Sequence, residues 1–225
     1  MKAIFLGLTV AVLLLVQGCS TPQRLAAVPS ELTAKAEIPG MPNVRFALGG
    51  DITELSRTAQ ASLQLEKDNF AKQGHKGPLP PAIFLAISGG GDNGAFTAGL
   101  INAWTATGTR PEFKVVTGIS TGALIAPFAF LGSKYDATLK EVYTTISPQD
   151  VLTRRGFLTG VMSDGMADNA PLMNLTRKSV TDAFLREVAA EYAKGRFLLI
   201  ATADLDARRP IIWDMGKIAT YGGPR

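Results

Sequence analysis

The stretch that most constrains this chain is Phe113 to Leu131, FKVVTGISTGALIAPFAFL. A β-branched run, Lys114 to Thr117, ends in Gly118-Ile119-Ser120-Thr121-Gly122, and an apolar segment follows at once. Strand, G-x-S-x-G, helix is the pattern of a nucleophile elbow. A serine on so tight a turn holds a strained backbone, so the residues two places either side must be small. Gly118 and Gly122 supply that room. The pattern predicts a Ser120 hydroxyl lifted out of the sheet and set at a helix N-terminus, where the dipole favours developing negative charge. With 23 glycines in the chain, G-x-S-x-G is weak by itself, and its weight comes from its surroundings.

The first of these is another strand-to-helix junction upstream. Ala82 to Ile87 is a continuous apolar run, the pattern of a buried parallel strand. It runs into Ser88-Gly89-Gly90-Gly91-Asp92-Asn93-Gly94, and Phe96, Leu100 and Trp104 then mark one face of a helix ending near Gly108. Strand, glycine loop, helix makes an anion site, because the first N–H groups of a helix have no internal acceptors. Three readings compete. Gly89, Gly91 and Gly94 fit the dinucleotide fingerprint G-x-G-x-x-G, but that needs an acid at the end of the next strand, where this chain has Ser120; Glu112 precedes that strand. A phosphate-binding P-loop needs Gly-Lys-Ser/Thr, which is absent. The third is an oxyanion hole, with the Gly90 and Gly91 amides facing a tetrahedral intermediate formed at Ser120. A glycine turn needed only for tight packing is the plainer alternative, and the serine motif on the very next strand weighs against it.

The N-terminus carries a different signal. Lys2 followed by the apolar run Ile4 to Val16 reads as a signal peptide, too short to span a bilayer comfortably. Val16-Gln17-Gly18-Cys19 resembles the bacterial lipobox, and Cys19 is the only cysteine in the chain, so no disulfide competes for it. An ordinary secreted signal and an uncleaved anchor are the alternatives. Residues 1–18 are thus expected to be a lipoprotein signal peptide, with Cys19 the lipidated residue and the membrane a partner through its acyl chains. Ser20 after the cysteine leans towards the outer membrane, by resemblance to lipoprotein sorting. Residues 19–50, with four prolines, read as a tether. Residues 51–80 read as a helix and linker: Asp51 is the expected N-cap, and Ile52, Leu55, Ala59, Leu63 and Phe70 the apolar stripe. Residues 81–225 form the main domain. The charge balance, 23 basic against 19 acidic residues, is dispersed and forms no basic stripe, which excludes nucleic acid as an expected partner.

Taken together, GGGDNG after one strand and GISTG after the next resemble the patatin-like phospholipase family, whose glycine loop and serine motif come in this order and at about this distance. The resemblance covers about residues 80 to 215, including ATADL in the strand Arg196 to Leu205 and the return segment Pro210 to Trp213. It implies an α/β fold, three-layered, with a mostly parallel sheet between helices, and phospholipase A- or esterase-type hydrolysis of acyl lipids. It also implies a Ser-Asp dyad: Ser120 as nucleophile, with the Gly89, Gly90, Gly91, Asp92, Asn93 and Gly94 loop as oxyanion cradle. Gly118, Ile119, Thr121 and Gly122 would complete the elbow. One count made from the residues alone agrees. The single histidine, His75, precedes the serine and sits in a linker, so a Ser-acid-His order is not available.

The chain departs from the family in having Asn93 where Arg or Lys is usual and Ser88 where Asp is common. The family's dyad Asp lies in an Asp-Gly pair well beyond the ATADL-like strand. The one Asp-Gly here, Asp164-Gly165, comes too early and reads as a turn. The expectation is therefore that the dyad Asp lies beyond Arg225 and that the 225 residues are a fragment. No metal and no other cofactor is expected, since no His/Cys/Asp cluster has ligand spacing. Tyr135 to Ile146 and Thr176 to Lys194 read as amphipathic helices, the second with Val180, Phe184, Val188 and Tyr192 on one face and Gly195 as its stop. Pro127 is expected to kink or loosen the helix after Ser120. Phe128 and Trp213 read as core residues with an acyl-pocket lining as the alternative. A non-catalytic lipoprotein of the same fold, binding lipid or a protein partner, is the second functional reading. A histidine-dependent secreted esterase is a third, disfavoured by the histidine count.

Overall fold

The computed structural model describes residues 26–49, 52–145, 151, 153–154 and 167–222; Cys19, Asp51 and Asp164 lie outside them. In chain order the elements are β1 (Arg45–Ala47), α1 (Thr53–Lys72), β2 (Phe84–Ile87), α2 (Gly94–Ala106), β3 (Val115–Ile119), α3 (Thr121–Leu131) and α4 (Asp136–Thr145). Then come β4 (Thr153–Arg154), β5 (Ala167–Asp168), α5 (Ala170–Ser179), α6 (Asp182–Ala193), β6 (Phe197–Asp204), β7 (Arg209–Asp214) and α7 (Met215–Tyr221). Two compact units divide the chain: Met1–Ala27 with Ser147–Leu175, and Val28–Ile146 with Thr176–Arg225. In the smaller unit β4 and β5 pair antiparallel, Thr153 opposite Asp168.

The larger unit is built on a five-stranded sheet in the order β1-β7-β6-β3-β2. β2, β3 and β6 run parallel, β7 turns back antiparallel on β6, and β1 lies antiparallel on β7. Flanked by helices, this mixed sheet, parallel through its middle, makes the α/β fold that the sequence implies. Register brings Ile87 opposite Gly118 and Ile119 opposite Ala201, so β2, β3 and β6 finish along one edge. In parallel sheets of this kind ligands bind outside that carboxyl edge.

α3 is apolar on every side and is accordingly swallowed by the core: Ile125, Ala126, Phe128, Ala129 and Phe130 are all buried. They pack against Ile87, Val116 and Leu198 of the sheet, Ala98 and Ile101 of α2, and Phe184 and Val188 of α6. The helix runs unbroken from Thr121 to Leu131 through Pro127, which corrects the expected kink: the surrounding core holds a segment that lacks one N–H. Below the sheet's other edge Arg196 is buried over the Phe130 ring, 4.4 Å from its centroid. Its guanidinium donates to the carbonyls of Phe113 and Phe130 and to Glu191, which ties the starts of β3 and β6 to the end of α3.

Several expectations need correction. The Ala82–Ile87 run becomes a four-residue strand at the sheet edge among the described residues, with Phe84 exposed and only Ile87 buried. α2 buries Gly94, Ala98 and Ile101, and turns Phe96 and Leu100 outward. A helix with no charged residue has no polar face to orient it, and its small residues allow the closest packing. α1 starts at Thr53 with Ile52 in the cap position and no side-chain cap bond. Its buried residues are Thr58 and Ser62, while Ile52 and Leu63 are exposed. The reason is a close crossing: the Ser62 hydroxyl donates to the Gly195 carbonyl at 2.7 Å, and a Cβ at Gly195 would lie 2.8 Å from the Glu66 Cα. Gly195, at φ +86°, does end α6 as expected. The single helix expected over Thr176 to Lys194 is broken, because Thr181 caps α6 by accepting the Phe184 N–H at 3.2 Å.

Candidate active site

Ser120 joins β3 to α3 at the carboxyl edge of the sheet, with φ 54° and ψ −126°. A positive φ on a non-glycine residue is strained, and the strain is sustained by what surrounds it. Gly118 and Gly122 meet across the turn: a Cβ on Gly118 would lie 2.7 Å from the Gly122 carbonyl carbon and 2.8 Å from the Ala126 Cβ. A Cβ on Gly122 would lie 2.7 Å from the Ser88 carbonyl oxygen. The second contact matters most for the site, because it lets the end of β2 lie directly against the start of α3. Ile119 and Ser120 are exposed at the tip.

That approach brings the glycine loop onto the serine. A Cβ on Gly89 would stand 2.8 Å from Ser120 Cβ and 3.5 Å from its Oγ. Gly91 takes φ +55°, and Gly91 to Asn93 form one tight turn that leads into α2, with the Asn93 N–H donating to the Gly90 carbonyl at 3.1 Å. The amides of Gly90, Gly91 and Thr121 meet no acceptor among the described residues. Ser88, Gly89, Gly90, Asn93, Gly94, Phe96, Thr97 and Thr121 line a cavity of about 410 Å³ beside the serine. Asp92 is exposed on the same turn. The motifs Ser88–Gly94 and Gly118–Gly122, distant in sequence, thus lie side by side, and donors at a helix start suit a negative oxygen.

Other sequence candidates fall elsewhere. His75 is exposed in the linker, with its Nε2 2.8 Å from the Pro78 carbonyl and its ring against Phe70. Phe128 is buried among Tyr135 and Phe184, and Trp213 spends its indole N–H on the Thr202 hydroxyl at 2.8 Å. Asp204, at the end of β6, accepts from Arg45 and from the Asp206 and Ala207 amides. No carboxylate hydrogen-bonds Ser120 among the described residues. One neighbour of the site has no sequence signal at all: Tyr143 of α4, whose hydroxyl lies 2.8 Å from the Thr121 Oγ1.

The family model for patatin-like phospholipases matches residues 85–216, which run from β2 through β7 and include both the glycine loop and Ser120. The chain belongs to the patatin-like phospholipase family. Its members are lipid acyl hydrolases, and the fold expected of them is the one described above. No curated protein and no solved structure gives a significant match. Within this patatin-like domain the matched segment holds Ser120, both glycine motifs and the residues that line the cavity beside the serine.

Proposed function

We propose that this patatin-like chain hydrolyses acyl esters of lipids, in the phospholipase A or esterase manner, with Ser120 as nucleophile. What supports the reading is the approach of Gly89 to Ser120, which brings the glycine loop against one exposed hydroxyl on a strained turn. In the reaction the Ser120 Oγ attacks the ester carbonyl while a carboxylate takes its proton. The carbonyl oxygen becomes an oxyanion facing the Gly90, Gly91 and Thr121 N–H groups, each donor worth roughly a hundredfold to a thousandfold in rate. The C–O bond to the alcohol or lysolipid then breaks, and that oxygen leaves with the proton. Water, activated by the same carboxylate, cleaves the acyl-serine and frees the fatty acid. The dyad carboxylate is an Asp by family resemblance, and none of the described carboxylates hydrogen-bonds Ser120. Cys19 would carry the lipid that holds the domain at a membrane, the outer membrane by its neighbour Ser20.

Turnover of p-nitrophenyl butyrate and release of fatty acid from phosphatidylcholine vesicles test this, comparing wild type with Ser120→Ala. Ser120-dependent fatty acid release is the expected result. Vesicle binding without any release, in folded protein, would instead support the non-catalytic lipid-binding reading, which the lack of a carboxylate hydrogen-bonded to Ser120 among the described residues motivates.

A further inference from the structure

α4 contributes one side chain to the edge of the site, and its contacts are more specific than packing requires. The Tyr143 hydroxyl lies 2.8 Å from the Thr121 Oγ1 and donates to the Thr121 main-chain carbonyl at 3.4 Å. Either hydroxyl can donate in the shorter bond. One phenol therefore grips both the side chain and the backbone of the residue immediately after Ser120. The glycine loop rests on the same pair. A Cβ on Gly94 would lie 3.0 Å from the Tyr143 ring and 3.1 Å from the Thr121 Cγ2, and would run into the Thr121 Oγ1. Elbow, loop and α4 therefore meet at a single point, with Gly94 buried there.

We propose that Tyr143 is a positioning residue: it holds Thr121 against Gly94 and so fixes the Thr121 amide and the glycine-loop amides in the geometry that the oxyanion needs. This rests on the Ser120 hydrolase reading. The helix that bears Thr121 starts at a strained turn, and nothing in α3 itself fixes the Thr121 side chain. The loop leading into α2 contains three consecutive glycines, whose backbone is permissive. Donors preorganised on such a junction need an external brace, since a displacement of about 1 Å costs roughly a hundredfold in rate. Burial raises the Tyr143 pKa above its ordinary value, so the phenol stays neutral across the working range and acts as a brace, never as a base.

The test is steady-state turnover of p-nitrophenyl butyrate by the full chain, with active sites counted by fluorophosphonate titration. Tyr143→Phe keeps the ring against Gly94 and removes both hydrogen bonds. We expect kcat to fall about tenfold while KM and the melting temperature stay close to wild type. Thr121→Val should reproduce the loss, and the Tyr143→Phe/Thr121→Val double variant should lose no more than either single one. Wild-type kcat in Tyr143→Phe would overturn the proposal, as would losses that multiply in the double variant. Absence of Ser120-dependent turnover in the wild type is a different failure, since it removes the hydrolase reading itself.

Discussion

Gly89 follows β2 and Ser120 follows β3, yet a methyl group on Gly89 would stand 2.8 Å from the Ser120 Cβ. Both carbons are fixed to backbone, so neither can rotate out of the way. Gly89→Ala is therefore expected to push loop and serine apart by several tenths of an ångström. The cost in stability should be about 1–3 kcal/mol, while kcat/KM for p-nitrophenyl butyrate falls by at least about a hundredfold. Comparing the melting curve with the kinetics checks it: a variant of near wild-type activity would mean that the loop is not part of the site.

Glycines of this domain divide sharply by what surrounds them. Gly122→Ala would drive a methyl group into the Ile87 and Ser88 carbonyls, which belong to backbone and cannot yield cheaply. Gly99, in the exposed middle of α2, has open space on all sides. Denaturant unfolding should show Gly122→Ala destabilised by about 3 kcal/mol or more, at the upper end of overpacking costs. Gly99→Ala should be more stable by about 0.5–1 kcal/mol, because alanine restricts the unfolded chain and favours helix.

Asp214 is fully buried, and its Oδ2 has no hydrogen-bond partner among the described residues, whereas its Oδ1 caps α7 by accepting the Lys217 N–H at 2.9 Å. Burial pushes its pKa up to about 6, against the Lys217 charge and amide, which pull it down. The folded state thus holds its proton more tightly than the unfolded chain does. Stability from this group is greatest below about pH 4 and declines as pH rises to about 6, a loss of roughly 2–3 kcal/mol. Asp214→Asn keeps the cap acceptor and cannot ionise. Its melting temperature, measured from pH 4 to 7, should lack the decline that wild type shows over that window; parallel curves would contradict the assignment.

Phe96 is 75% exposed on α2 and lines the cavity beside Ser120. An exposed phenyl ring there contributes little to folding but offers apolar surface to an acyl chain. Phe96→Ser should leave the melting temperature within about 2 °C of wild type, as for other exposed positions. The KM for long-chain p-nitrophenyl esters should rise several-fold while that for the acetate stays put. An equal effect on both esters would place the acyl chain elsewhere.

Much of the site could be read from the residues because its chemistry demands fixed spacings. Gly118, Ser120 and Gly122 are two apart since one tight turn needs them so, and the strand-glycine-helix junction at Ser88–Gly94 follows from the same kind of steric need. The faces of the helices were less legible. Phe96, Leu100 and Trp104 keep helical spacing, but α2 is uncharged throughout, and Gly94, Ala98 and Ile101 form the side that packs. In α1 the close crossing at Gly195 selected Ser62 over Leu63, a choice that only the third dimension makes. The break before α6 was written in one hydroxyl, Thr181, within a helical run of charges and apolar residues. Tyr143 carried no pattern, because its role depends on α4 folding back onto the turn after Ser120.

The proposed hydrolysis requires Ser120 to be an activated nucleophile. Fluorophosphonate labelling of the purified full chain, with the modified peptide mapped by mass spectrometry, tests it most directly. One stoichiometric adduct on Ser120 is expected, absent from Ser120→Ala and slowed in Gly89→Ala. Folded protein that takes up no adduct at Ser120, or takes it up elsewhere, would contradict it.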